Sequence, residues 1–101
     1  RVSVAPPETI ADGLRVRIPG EFTWPILKSS LDSVELVSDD EMLWTMGWAC
    51  SHLRMVLEPS GAASLAAAMR DGHGRVGVLL SGGNVESEIL SLAISRFEKE
   101  A

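Results

Sequence analysis

Val76-Gly77-Val78-Leu79-Leu80, running into Ser81-Gly82-Gly83-Asn84, is the stretch on which the reading of this chain turns. From Arg75 to Leu80 the residues form an apolar run of strand length, without the alternation of a half-exposed strand. They read as a strand covered on both faces. Ser81-Gly82-Gly83-Asn84 follows as a tight turn, and a helix is expected from Val85 to Lys99. A covered strand, a Gly-rich turn and a helix place backbone N–H groups and a hydroxyl at the carboxyl edge of a sheet. Open α/β sheets bind ligands there. Two adjacent glycines let a flat or anionic ligand approach the backbone. A strand-to-helix turn with no ligand accounts for the same residues equally well. The dinucleotide and Walker fingerprints both fail on spacing.

Working upstream, Pro59 suits the first position of a helix over Ser60 to Arg70, closed by Gly72 or Gly74. Its stretch Gly61-Ala62-Ala63-Ser64-Leu65-Ala66-Ala67-Ala68-Met69 carries small residues on every face, which predicts a helix buried all round. Before it, Ser38-Asp39-Asp40-Glu41 is a capping box with an acidic first turn. Leu43, Met46, Cys50, Leu53 and Leu57 recur at helical spacing, so that helix is expected to reach about residue 56. Its Met42, Trp44, Met46 and Trp48 read as core packing. Val34-Glu35-Leu36-Val37 alternates as a strand does, and a short helix after Thr23 tolerates Pro25 in its first turn. Residues 1–21, punctuated by Pro6, Pro7, Gly13, Pro19 and Gly20, read as irregular. The fold class is therefore α/β. Two strands do not make a stable parallel sheet, so the chain is expected to be one segment, 1–101, of a larger domain.

With 101 residues, a formal net charge of -5 and no Lys/Arg cluster, the chain has no surface suited to phosphate neutralisation. Nucleic acid is excluded as a partner. The single cysteine, Cys50, rules out an internal disulfide and leaves too few thiols for structural zinc; it reads as a small buried residue. No apolar run approaches a membrane span of about 20 residues. No secretory start is present, which makes a cytoplasmic location the expectation. The first residue is Arg, which suggests sequence upstream.

Glu58, after Met55-Val56-Leu57, is expected near the interior, where its charge needs a partner. Arg54 could pair with it, or Glu58 could serve a site. Asp12-Gly13 is a turn signal by composition. His52 and His73 have no carboxylate or thiol at ligand spacing.

Three stretches in order carry a resemblance over nearly the whole chain. They are Pro6-Pro7-Glu8-Thr9-Ile10-Ala11-Asp12-Gly13, Glu58-Pro59-Ser60-Gly61-Ala62-Ala63, and Leu80-Ser81-Gly82-Gly83-Asn84-Val85. Thr23-Trp24-Pro25-Ile26 and Val37-Ser38-Asp39-Asp40-Glu41 fall between them at matching intervals. The set resembles the serine racemase and threonine dehydratase family, of the tryptophan-synthase-β fold type of pyridoxal-phosphate enzymes. The resemblance implies the C-terminal part of the large catalytic domain, an incomplete parallel sheet flanked by helices. It implies that Ser81 hydrogen-bonds the pyridine nitrogen of the cofactor, that Gly82 and Gly83 let the chain pass close to the ring, and that Asn84 fixes the turn. Glu58 is implied to lie near the cofactor, and Asp12 and Gly13 to line the substrate side, within an active-site loop over 1–21. One departure is visible. Similar proteins often carry Arg and Lys six and four residues before the glutamate, where this chain has His52 and Arg54.

The family's Schiff-base lysine, its phosphate loop and its divalent-cation site belong to upstream segments. Lys28 and Lys99 match none of these contexts. The resemblance thus implies a lyase or racemase that is inactive without the upstream lysine. Its substrate is a hydroxy amino acid (serine, threonine or hydroxyaspartate), and the complete enzyme is a homo-oligomer. The alternative is a non-catalytic ligand-binding or assembly module that kept a remnant of the fold.

Overall fold

Ser38 accepts a hydrogen bond from the Glu41 amide through its side chain, and the Glu41 carboxylate accepts one from the Ser38 N–H, so the capping box is closed. This starts the most deeply buried helix of the chain. The computed structural model describes residues 8–71 and 74–100, and the expectations for Pro6-Pro7, Gly72 and His73 lie outside them. The order is a 3-10 turn at Asp12–Leu14, then helices α1 Thr23–Ser30, α2 Asp39–His52, α3 Pro59–Asp71 and α4 Ser87–Glu100.

Helix α2 lies at the centre, packed against both α3 and α4. Its buried face supplies Leu43, Met46 and Ala49 to a core completed by Leu57, Ala62 and Ala93. Gly47 lets α4 approach closely. A Cβ there would fall 2.5 Å from both the Ala93 carbonyl oxygen and Phe97 Cβ. Trp44 and Phe97 meet edge-on across the same seam, with centroids 5.5 Å apart. Arg96 of α4 pairs with Asp40 in the first turn of α2, joining the two helices at that end.

The structure corrects four of the expectations. No strand forms among the described residues at Val34–Val37 or Arg75–Leu80. A strand exists only through a ladder with a neighbour, and neither segment has one among the described residues. The expected α/β class is therefore not seen here: the described residues are all-helical. Helix α2 stops at His52, not near 56, because Arg54 takes the left-handed conformation (φ 55) and the Met55 amide turns back to the Ala49 carbonyl. Helix α3 is buried along one stripe, Ala62 and Ala66, while Ser64 and Met69 are exposed; the described residues leave its other faces uncovered. Cys50 is half-buried, not fully enclosed. No helix among the described residues is long and apolar enough to cross a membrane.

Candidate functional site

The first turn of α3 organises the region around the Gly-Gly turn. The Glu58 carbonyl accepts the Ala62 amide and so opens the helix, with Pro59 in the first position where no donor is needed. Ahead of that turn, the Glu58 amide donates to the Gly82 carbonyl at 3.3 Å. Gly61 is what allows the approach. A Cβ on it would fall 1.9 Å from the Ser81 carbonyl oxygen. One turn on, the Ser64 hydroxyl donates to the Leu79 carbonyl at 2.8 Å. Residues 79–82 are thereby laid along α3 by one backbone and one serine hydrogen bond, not by a sheet.

Gly82 has φ +77, a region that glycine enters without penalty. The room left by its missing side chain is taken by Glu58, whose Oε1 would lie 1.8 Å from a Cβ at that position. A Cβ on Gly83 would meet the Val56 carbonyl at 2.5 Å. Both glycines thus admit the 56–58 segment of the chain itself. Asn84 sits at the centre of a tight turn that the Val85 amide closes onto the Gly83 carbonyl, just before α4.

Asp12, Glu58 and Asn84 line one half-open cavity of about 500 Å³, together with Ile10, Val85 and Glu86. Ser81, Gly82, Gly83 and Gly13 do not line it. Gly13 lies beside it, its amide donating to the Ser60 hydroxyl at 2.9 Å. Ser81 is exposed, and its hydroxyl has no hydrogen-bond partner among the described residues. Sequence reasoning missed Ile10, Val85, Glu86 and Ser60. Val85 and Ile89 are four apart on the α4 side, and that spacing was the available signal. Glu58 is half-buried, and no ion pair joins it to Arg54 among the described residues. His52 stacks on Trp48, centroids 4.9 Å apart, which accounts for it without a metal. No group of residues suited to a metal ion occurs among the described residues.

The charge around the cavity decides which part of an anionic ligand it could accept. Asp12, Glu58 and Glu86 oppose a phosphate, since like charges at short range disfavour one another. A free hydroxyl at Ser81, by contrast, can hydrogen-bond a ring nitrogen. The cavity's acidic lining therefore does not fit the phosphate end of pyridoxal phosphate, and a contact to the ring nitrogen would have to come from Ser81, which lies outside that lining. A larger cavity, about 890 Å³, lies between residues 35–40 and α3, lined by Leu36, Val37, Met42, Ala63 and Ala67 among others. Glu8, Thr9 and Leu14 of the 1–21 loop also line it, whereas Asp12, Gly13, Glu58 and Ser81 to Asn84 do not.

A family model for pyridoxal-phosphate dependent enzymes matches residues 1–82. The chain belongs to that family. It is 36% identical over 91 residues to the serine racemase of Schizosaccharomyces pombe, covering 86% of this chain and 28% of that protein. It is 33% identical over 98 residues to the L-threo-3-hydroxyaspartate ammonia-lyase of Saccharomyces cerevisiae, covering 93% of this chain and 30% of that protein. The crystal structure of the serine racemase from Dictyostelium discoideum superposes with a TM-score of 0.69 at 37% identity, over 79% of this chain and 28% of the racemase. A crystal structure of a threonine deaminase superposes more closely, with a TM-score of 0.79 at 37% identity, over 84% of this chain and 29% of the deaminase. The chain thus spans less than a third of the length of these relatives. Family membership and a fragment of the family's fold are what the pyridoxal-phosphate match establishes.

Proposed function

We propose that this chain forms one wall of the active site of a pyridoxal-phosphate-dependent lyase or racemase acting on a hydroxy amino acid. The observation that carries the reading is the Ser81 hydroxyl, exposed and unpartnered among the described residues, on a turn held by Gly61 and Glu58. When bound, pyridoxal phosphate supplies an electron sink for the charge left at Cα of an amino acid. Ser81 holds the ring through its nitrogen. As a neutral hydroxyl it does not keep a proton there as an aspartate would, so the sink stays modest. Loss of a β-hydroxyl then becomes a favourable exit, which suits dehydration of serine, threonine or hydroxyaspartate. Gly82 and Gly83 keep the turn flat beside the ring, Asn84 fixes its end, and Glu58 braces it from behind. Asp12 and Gly13 face the substrate side. The Schiff-base lysine and phosphate loop come from upstream residues, and the complete enzyme assembles as a homo-oligomer in the cytoplasm.

The test is to produce the chain joined to the sequence encoded before Arg1. Cofactor absorbance and keto-acid release from L-serine, L-threonine or 3-hydroxyaspartate are expected. Ser81→Ala should lower turnover by up to about tenfold, the upper size of one neutral hydrogen bond. Wild-type kinetics in that variant would remove Ser81 from the site. Absence of both absorbance and product in the parent protein would favour the second reading, a ligand-binding or assembly module without catalysis.

A further inference from the structure

We infer that Ser60 is a positioning residue: its hydroxyl ties the Asp12–Gly13 loop to the same helical turn that holds the Ser81 strip, and so sets the distance between the two sides of the site. The inference rests on the site proposed above.

The geometry is specific to this position. Ser60 Oγ accepts the Gly13 N–H at 2.9 Å, across 47 residues of chain. A Cβ on Gly13 would fall 2.8 Å from that oxygen and 3.1 Å from Ser60 Cβ, so the loop is seated directly against the side chain. On the adjoining residue, Gly61 meets the Ser81 carbonyl, and on the next turn Ser64 takes the Leu79 carbonyl. Three successive contacts on α3 therefore hold one loop and one strip in register. Among the described residues, the 3-10 turn at Asp12–Leu14 makes its inter-element contacts with α3 alone. Thr9 and the Ile10 amide anchor the preceding residues to Asp39 of α2, which leaves Ser60 as the side-chain anchor of Gly13 itself. Removing the hydroxyl frees the substrate side while leaving Ser81 in place.

The experiment compares Ser60→Ala and Ser60→Thr in the protein joined to its upstream sequence, reading Gly13 amide exchange and steady-state kinetics. Ser60→Ala should speed Gly13 exchange by about fivefold and raise KM by a similar factor, as expected for one modest hydrogen bond. The turnover number should stay within about twofold, and Ser60→Thr, which keeps the acceptor, should restore both. Gly13→Ala reaches the contact from the other side and should show the same rise in KM. The double variant should then be no worse than the weaker single, because the two act through one contact. Unchanged Gly13 exchange in Ser60→Ala would overturn the inference. So would faster exchange with KM unmoved, or equal losses in the alanine and threonine variants. If the parent protein releases no keto acid, the proposed function fails, and the exchange comparison alone decides whether Ser60 holds the loop.

Discussion

Arg54 is the residue at which helix α2 gives way, and its φ of 55 is a conformation that side chains with a Cβ resist. Arg54→Gly should therefore stabilise the chain by about 0.5–1 kcal/mol, less the added freedom of glycine in the unfolded state. Chemical denaturation of the two chains side by side reads this, and a fall in the midpoint would show that Arg54 makes compensating contacts. Glu41 offers a second residue-scale prediction. The Ser38 N–H bonded to its carboxylate holds it below the ordinary glutamate value of 4.5, with the charge of Arg70 adding to the shift and partial desolvation opposing it. A depressed folded value means the stabilisation is present above the unfolded value and drains away as pH falls through the folded one. The difference in Tm between wild type and Glu41→Gln should thus be largest near neutrality and shrink below about pH 4.5. A constant difference from pH 7 to pH 3 would assign the effect to shape and not to charge.

At the scale of elements, what could be read in the chain was local. The capping box at Ser38–Glu41, the Pro-tolerant start of α1 and the extent of α4 each depend on neighbours within one or two turns, and each formed where expected. The two strands did not, because a ladder needs a second segment, and the described residues supply none. The site divides the same way. Ser81 to Asn84 stood out by composition, whereas the packing of Glu58 over Gly82 joins positions 24 residues apart and leaves no local trace. Ser60 was hidden for a similar reason, since a serine in a first helical turn is commonplace. Two substitutions test the element contacts. Ser38→Ala should cost about 1 kcal/mol through loss of the cap. Gly47→Ala should cost about 1–3 kcal/mol, because α4 must move away from the Ala93 carbonyl to make room. Thermal unfolding of either variant with an unchanged midpoint would dismiss that contact.

For the molecule as a whole, the apolar surface is unfinished. Phe22, Leu36 and Leu79 are 88%, 83% and 82% exposed. The radius of gyration is 14.5 Å, where about 13 Å is usual for a chain of this length. A monomer rarely leaves so many large side chains in water. The chain by itself should bind a hydrophobic dye and sediment as concentration-dependent oligomers, and a sharp monomeric boundary at all concentrations would contradict this.

Glu58 filling the hollow over Gly82 also constrains both positions in evolution. A larger residue at 82 has nowhere to go unless the carboxylate retreats, and a shorter residue at 58 would leave a void under the turn. Because the φ of +77 at 82 favours glycine whatever stands opposite, the dependence runs mainly one way: a library at 58 should admit only residues that fill the hollow without crowding the turn.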